Sequence, residues 1–417
     1  MTILDQIHAR RIVEALRFGV PTHDSVSALG SGQSHLEHKF DELIRNVAIN
    51  SDVSPLGFVF NGGFGTGKSH LLESLEAAAV RDGYVVSRAT ISRGLPLHET
   101  IRVVYDLVAA TKVNGFSEDF MMTRLTSALF EVRTDLVGLR RWTRAKVDEG
   151  QLAPIFLAIV SALQNAVFAS SDLATLVDYL SGATVPVTEI KQALKRFAPH
   201  ITDVRAPKAS ERPWQTIAFL SQLFQTLGHR GWIVLFDELE LMRLQGPVAR
   251  AKAYAELARW FGLDGQLNIT GLGVVGCITP DYFEAYIDAD SQVWPACRDA
   301  VEAPQRLFAR VSNEHLAPLA QLGMGFLEYQ QTNVCRPTVG ADLEAVQARI
   351  KPIYEVAYNV TIPTLAVGDS DGRQGMRPVI RRWMLLWDLH RAGRAADIED
   401  YGVNAAYEGS DDNDDDS

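Results

Sequence analysis

Cysteine is scarce in this sequence of 417 residues, and the three cysteines, Cys277, Cys297 and Cys335, are far apart. No C-x-x-C pair occurs, so a zinc site and a disulfide framework are both disfavoured, and scattered thiols fit a reducing compartment. The first residues lack a basic segment followed by an apolar one, so we expect no signal peptide. The sequence therefore predicts a cytoplasmic protein.

Positive charge is also limited. The net charge is -11, and five of the negative charges are aspartates between positions 411 and 416. The rest of the chain is still acidic, which argues against broad, sequence-independent binding of duplex DNA. The densest basic segment, Arg140–Lys146, contains Trp142. We interpret it as a solvated helix face in preference to a nucleic-acid contact.

One apolar stretch without charge, Gln151–Ser171, is long enough to be considered as a membrane helix. Pro154, Ser161 and Gln164 interrupt it with helix-limiting or polar residues. We therefore predict a buried core helix here and no membrane span.

A glycine-rich turn carries the most specific motif. Gly62 and Gly67-Lys68-Ser69 match the P-loop spacing G-x-x-x-x-G-K-[ST], after an apolar run and before a helical pattern. Backbone N–H groups of such a loop surround phosphates, the lysine reaches the β- and γ-phosphates, and the serine hydroxyl binds Mg²⁺. The residues predicted to bind the nucleotide are Gly62, Gly63, Phe64, Gly65, Thr66, Gly67, Lys68, Ser69 and His70.

A pair of carboxylates follows a second apolar run. Trp232–Phe236 is typical of a strand buried on both faces, and it ends in Asp237-Glu238. We predict that Asp237 holds Mg²⁺, usually through water, and that Glu238 polarises the water that attacks the γ-phosphate. Glu240 is interpreted as a structural neighbour.

Three further residues are weaker candidates for the same site. Thr279 ends the next apolar strand, where it would hold the water or sense the γ-phosphate, although strands often end in threonine. Arg310 would reach a neighbouring subunit's nucleotide or be a surface residue, and Arg377 would fold over the phosphates in cis. No N-K-x-D tetrad is present, which favours ATP over GTP.

The strand pattern predicts an α/β fold with a parallel sheet. Strands are expected at Phe58–Phe60, Tyr84–Ile91, Trp232–Phe236, Leu272–Ile278 and Val311–Leu319. Helices are expected at Ile3–Phe18, Leu36–Ile49, Thr100–Ala110, Asp119–Phe130, Ala153–Phe168, Ile190–Phe197, Trp214–Leu227, Val248–Phe261, Ala341–Ile350 and Arg377–Leu389.

These elements suggest four parts of the chain. We expect an N-terminal helical segment at 1–50 and an ATPase α/β core at 51–319, with a helical insertion at about 97–227. A helical lid would follow at 320–398. The acidic end, 399–417, is expected to be disordered.

The order of these motifs resembles that of the AAA+ ATPases, near the origin-recognition and STAND-like branch. More narrowly, four segments look like the BREX-system ATP-binding proteins (BrxD type) of bacterial phage defence: Arg10–Pro21, Gly65–Leu72, Gly94–His98 and Gly231–Glu238. The similarity covers most of residues 1–390. It implies an AAA+-like P-loop ATPase that works with other defence proteins on foreign DNA, as a homo- or hetero-oligomer.

The resemblance has one departure, because no winged-helix segment follows the lid. DNA contact is therefore expected to be indirect or through local basic patches. Three other functions stay open from the sequence: a non-hydrolysing, nucleotide-gated STAND-type scaffold, a small-molecule or nucleic-acid kinase, and a DNA loader or translocase. An intact Glu238 argues against the first, and the lack of an acceptor pocket with a general base argues against the second.

Overall fold

The computed structural model describes two compact units. The described residues are 5–19, 22, 24, 26, 29–49, 56–114, 136–165, 171–265, 268–288, 299–300, 302–309, 311, 313–336, 340–366 and 376–394. The helical unit comprises the described residues of 1–32, 65–73 and 337–417, and the sheet unit comprises those of 33–64 and 74–336.

The strands are β1 Leu56–Asn61, β2 Val85–Thr90, β3 Thr111–Lys112, β4 Trp232–Asp237 and β5 Leu272–Ile278. Among the described residues, the α-helices longer than three residues are α1 Gln6–Phe18, α2 Ser34–Ala48, α3 Lys68–Arg81, α4 Thr100–Ala109, α5 Leu136–Asp148, α6 Pro154–Asn165, α7 Ser171–Leu180, α8 Val187–Phe197, α9 Arg212–Thr226, α10 Pro247–Trp260, α11 Pro304–Ala309, α12 Ala317–Gln330, α13 Gly340–Tyr358 and α14 Met376–Arg391. The predicted helix Asp119–Phe130, Arg310 and the expected acidic tail at 399–417 lie outside the described residues.

The sheet has the order β1-β5-β4-β2-β3. Strands β1, β5, β4 and β2 are mutually parallel, and β3 is antiparallel to β2. Every residue of β4 and β5 is buried, as expected for strands covered on both faces. The α/β prediction is confirmed at this level, and the mostly parallel sheet is consistent with a P-loop NTPase-like core.

The carboxyl ends of the parallel strands meet at one edge, which we call the C-edge. Asn61 ends β1 opposite Ile278 of β5, and Asp237 ends β4 opposite Thr90 of β2. Residues that follow β1, β4 and β5 therefore start from neighbouring positions, where ligands bind in open parallel sheets.

The outer side of β1 is covered by the chain around residue 333. Asn333 donates its side-chain amide to the carbonyl oxygen of Val59 (2.8 Å), and its own carbonyl oxygen accepts from the Asn61 N–H (2.8 Å). The Cys335 N–H donates to the Asn61 carbonyl oxygen (2.6 Å), and the Gln330 side chain accepts from the Val59 N–H (3.2 Å). These bonds satisfy the hydrogen-bonding groups of an edge strand.

The predicted strand Val311–Leu319 is wrong. The chain forms a short 3₁₀ turn at Glu314–Leu316, and α12 starts at Ala317. Pro318 lies in the first turn of α12, where a missing N–H costs nothing. Within α12, Gly323 allows close packing against α10, because a Cβ there would lie 2.0 Å from the Tyr254 carbonyl oxygen.

The helical insertion between β3 and β4 contains α5 to α9 in the described part of the chain. Helix α6 is a core helix as predicted: Ile155, Phe156 and Ile159 are fully buried, and Phe156 packs on Phe219 with ring centroids 5.4 Å apart. Across the described ranges, none of the helices combines the length and the apolar character that a membrane crossing needs.

The helical unit packs α1, α13 and α14 around one core that includes Ile12, Tyr354, Trp383 and Trp387. The Asp388 carboxylate accepts hydrogen bonds from the Arg17 guanidinium (2.9 and 3.0 Å) and the Tyr354 hydroxyl (2.6 Å). The N-terminal helix and the two helices that were predicted as a lid thus share a core.

Candidate nucleotide-binding site

The P-loop leaves β1 at the C-edge. The Gly62 N–H donates to the carbonyl oxygen of Ile278 at 3.2 Å, which fixes the point where the loop starts. Gly65 and Gly67 have φ values of 79° and 95°, a region in which a side chain is disfavoured. Helix α3 begins at Lys68. A strand, a glycine turn and a helix N-terminus therefore occur in the order that the motif requires.

The second half of the loop belongs to the helical unit, where it is tied to two other segments. The Met376 N–H donates to the Gly65 carbonyl oxygen at 3.3 Å. The His70 Nε2 lies 2.9 Å from the Gly30 carbonyl oxygen, to which it donates. Because Met376 is the first residue of α14, these contacts bring the start of that helix, and with it Arg377, next to the P-loop.

The Arg377 side chain lies against Gly19, the residue that ends α1. A Cβ on Gly19 would come within 2.8 Å of Arg377 Cγ, and Gly19 has a φ of 68°. Arg377 itself is exposed. The absence of a side chain at Gly19 therefore leaves room for the arginine.

Asp237 is nearly buried, and both oxygen atoms of its carboxylate accept hydrogen bonds. Its Oδ2 accepts from the Arg88 guanidinium at 2.5 Å. Its Oδ1 accepts from the Cys277 thiol and from the Glu238 N–H, both at 3.0 Å. Burial, with the neighbouring Asp237 charge, raises the pKa of the Cys277 thiol well above its usual range. The thiol therefore remains protonated and acts as a donor.

Glu238 is exposed and has an unusual backbone. Its φ of 57° and ψ of 42° place it in the left-handed region, directly after β4. Outside glycine, the only other residue with positive φ in the described chain is Asn359, whose side chain tolerates that region better. Strained backbone of this kind concentrates at functional sites, and here it projects an exposed carboxylate from the C-edge.

Thr279 follows β5, the strand between β1 and β4. It is partly exposed, and its carbonyl oxygen accepts from the Tyr282 N–H at 3.2 Å. In the sheet unit, the C-edge thus brings together Thr279, the Asp237-Glu238 pair and the start of the P-loop at Gly62.

The donor types suit Mg²⁺. Asp237 and Ser69 offer hard oxygen atoms, and Mg²⁺ in nucleotide sites takes one or two protein ligands with waters and phosphate oxygens. In this structure the Asp237 carboxylate already has one cationic partner, the guanidinium of Arg88. In the part of the chain that the structure describes, no group of three or more His, Cys, Asp or Glu side chains forms an all-protein metal site.

A family model describes most of this chain. The model of the BREX system ATP-binding protein BrxC/D matches residues 4–119 and 140–287. The chain belongs to the BrxC/D family. It has no match among curated proteins, and none among solved structures. The match includes the P-loop, Asp237-Glu238 and Thr279, and it establishes an ATP-binding family of BREX phage defence.

Sequence reasoning missed Arg88 in this BrxC/D-family chain. Arg88 is the only charged residue of β2, and a charge in a strand next to a fully buried one needs a partner. That signal was available, but the partner, Asp237, was not identifiable without the order of the strands.

A buried polar network behind the C-edge was also missed. The Arg250 guanidinium forms two bonds to the Asp299 carboxylate (2.6 and 2.8 Å) and donates to the Gln245 carbonyl oxygen (2.7 Å). The Tyr254 hydroxyl donates to Asp299 (2.7 Å) and lies 2.7 Å from the Tyr282 hydroxyl. The network joins Gln245, which follows the short helix after Glu238, to Tyr282, which lies three residues after Thr279.

Proposed function

We propose that this chain is an AAA+-like ATPase that binds ATP with Mg²⁺ and hydrolyses it. The observation that carries the proposal is the exposed, strained Glu238 directly after the buried Asp237, at the C-edge where the P-loop begins. A protein that only stored nucleotide would have no need to hold a second carboxylate in a costly conformation. Membership in an ATP-binding family supports the choice of nucleotide.

Each predicted site residue has a part in the proposal. The N–H groups of the P-loop and the Lys68 ammonium bind the phosphates, while Ser69 and Asp237 hold Mg²⁺. When bound, Mg²⁺ neutralises charge on the β- and γ-phosphates. Glu238 accepts a proton from the attacking water, and Thr279 orients that water.

The two arginines neutralise charge that develops on the γ-phosphate. Arg377 acts in cis, since its helix starts at the P-loop. Arg310 acts on the nucleotide of an adjacent subunit, which requires an oligomer. Only a phosphate that contacts groups on two parts of the chain can bias their relative position, so we propose that turnover drives motion of the lid helices.

The biological role follows from the family. BREX membership implies other defence proteins as partners. We propose that the chain acts in the cytoplasm with these partners against foreign DNA, as a homo- or hetero-oligomer. DNA contact would be indirect or through local basic patches.

The test is ATP turnover and nucleotide binding by the purified chain. We expect Mg²⁺-dependent ATP hydrolysis, and loss of ATP binding in Lys68→Ala. Lys208→Ala is the matched control, because that side chain is exposed and lies outside the site. Unchanged melting temperature with ATP and Mg²⁺, together with absent turnover, would overturn the proposal.

A second candidate function is a nucleotide-gated switch that does not hydrolyse ATP. The observation that favours it is the Arg88 pair, which occupies the carboxylate that should face Mg²⁺. In that case ATP binds and changes the assembly state, and Glu238→Gln has the same negligible turnover as the wild type.

A further inference from the structure

The Arg88 guanidinium is placed on the carboxylate that the proposed function assigns to Mg²⁺. Thr90 of β2 pairs with Asp237 of β4. Alternate residues of a strand point to the same face of the sheet, so Arg88, two residues before Thr90, lies on the same face as Asp237. Its Nη2 lies 2.5 Å from Asp237 Oδ2. This contact is between neighbouring strands of one unit, so it is part of the sheet itself.

Burial makes this contact necessary when the nucleotide is absent. The Asp237 side chain is 7% exposed and that of Arg88 is 22% exposed. A nearly buried carboxylate is costly unless a cation or several donors compensate it. The Cys277 thiol and the Glu238 N–H donate hydrogen bonds to Oδ1, whereas Arg88 supplies the positive charge at Oδ2.

A second cation cannot share this carboxylate without cost. A magnesium ion and a guanidinium at one carboxylate repel each other, and the low local dielectric strengthens the repulsion. The hydrated magnesium ion also needs a lone pair of the Asp237 carboxylate as acceptor. Arg88 already donates to Oδ2, so the ion and the guanidinium compete for that oxygen.

We propose that Arg88 is a positioning residue that holds Asp237 in the nucleotide-free chain and competes with Mg²⁺ for it. Arg88 thereby sets the Mg²⁺ concentration at which ATP binds. The inference rests on the proposed function, because it assumes that Asp237 faces the metal of a bound nucleotide. It adds a residue that no part of the P-loop motif includes.

Mn²⁺ is a suitable probe, because it occupies Mg²⁺ sites and its free form is detected by electron paramagnetic resonance. The experiment titrates Mn²⁺ into the full chain with a slowly hydrolysed ATP analogue, and the Mn²⁺ that the analogue binds without the chain is measured separately and subtracted. We expect Arg88→Met to lower the half-saturating Mn²⁺ concentration about tenfold, the effect of removing one charge-assisted competitor. Arg88→Lys keeps the charge, so it should give an intermediate value.

Thermal unfolding provides the second readout. Without metal and nucleotide, Arg88→Met removes the cationic partner of Asp237, and the melting temperature should fall by about 2–5 °C. With Mn²⁺ and the analogue, that difference should disappear. The matched control is Arg259→Met, whose arginine is 19% exposed and pairs with Glu256 and Asp264. It should lower the melting temperature equally in both conditions and leave the Mn²⁺ titration unchanged.

The outcomes separate the two proposals. If the wild type takes up no Mn²⁺ with the analogue, the proposed nucleotide site fails. If the wild type binds both but Arg88→Met and Arg88→Lys titrate like the wild type, Arg88 does not compete with the metal. Arg88 is then only a structural partner of Asp237, and the inference is overturned.

Discussion

The Glu238 N–H donates to Oδ1 of Asp237 at 3.0 Å, and the same Glu238 holds a φ of 57°. The hydrogen bond and the left-handed backbone occur at the same place, where the chain turns sharply at the end of β4. Asp237 remains nearly buried beside Arg88, while the next side chain is exposed. Two adjacent carboxylates thus receive different environments, one nearly buried and one exposed.

Replacing Glu238 by Gln tests the proton acceptor. We expect the ATP turnover number to fall about 10²–10⁴-fold, because general-base catalysis contributes that much, while ATP binding stays intact. The measurement is phosphate release at saturating ATP, with ATP binding followed separately. Glu284→Gln is the control, because this glutamate is also exposed and is not one of the predicted site residues. Equal turnover in the wild type and Glu238→Gln would exclude hydrolysis through Glu238.

Replacing Glu238 by Asn tests the strain. Asn tolerates the left-handed region, so we expect the unfolding free energy to rise by about 0.5–1 kcal/mol relative to Glu238→Gln. Turnover should be as low in Glu238→Asn as in the Gln variant. Urea unfolding of the three proteins provides the comparison. A Glu238→Asn variant less stable than Glu238→Gln would show that the backbone is not a source of strain.

Arg377 and Gly19 provide a paired test of the cis arginine. Arg377→Ala should reduce turnover about 10²-fold, as removal of a charge-stabilising donor does. Gly19→Ala should reduce turnover too, because its methyl group would lie only 2.8 Å from Arg377 Cγ and would displace that side chain. Gly393→Ala is the matched control: it also has positive φ, but no atom of the described residues lies within 4 Å of the added Cβ.

The expected result for Gly19→Ala and Gly393→Ala is a similar loss of stability, about 1 kcal/mol each, with different turnover. Differential scanning calorimetry with a phosphate-release assay measures both. If all three variants keep wild-type turnover, Arg377 does not act on the nucleotide.

The local motifs of the site could be predicted from the sequence because each depends on short-range geometry. The P-loop glycines, the start of α3 and the strand before Asp237 are set by a few consecutive residues, and they appear where the pattern places them. The roles of Thr279 and Arg377 remain predictions. Both residues were chosen because they lie at the end of a predicted strand or the start of a predicted helix, and such ends can be predicted from sequence to within a few residues.

The rest depends on contacts between distant segments. Nothing in the sequence near Asn333 indicates that it covers β1, because the bonds connect residues more than 270 positions apart. The Val311–Leu319 prediction failed since a short apolar run with a proline fits both a strand and the start of a helix. Arg88 required the strand order, which short motifs do not specify.

The pair Arg250–Asp299 makes a prediction about stability. Asp299→Leu removes one partner and leaves a buried guanidinium uncompensated, so we expect the unfolding free energy to fall by about 3–5 kcal/mol. In the double variant Arg250→Met/Asp299→Leu, apolar side chains replace both charges. Much of the loss should then be recovered, because no unpaired charge stays buried. Urea unfolding is the measurement, and equal losses in the single and double variants would contradict the role of the pair.

His98 makes a prediction about pH. Burial lowers the pKa of His98 from its ordinary value of 6.5, and its Nδ1 is buried with no hydrogen-bond partner among the described residues. In the unfolded chain His98 therefore binds a proton at a higher pH than it does in the folded chain. Protonation of His98 therefore favours unfolding. The contribution of His98 to the free energy of unfolding is unchanged above pH 6.5, where the ring is neutral in both states. The free energy of unfolding decreases as the pH falls through and below 6.5.

The variant His98→Gln should therefore lose less stability than the wild type between pH 7 and pH 5.5. The two proteins are compared by urea unfolding at several pH values, with His38→Gln as the control because the His38 side chain is 72% exposed. Removing an exposed histidine should leave the slope of stability against pH close to that of the wild type. If His98→Gln and His38→Gln have the same slope as the wild type, burial of His98 does not contribute to the acid sensitivity of the fold.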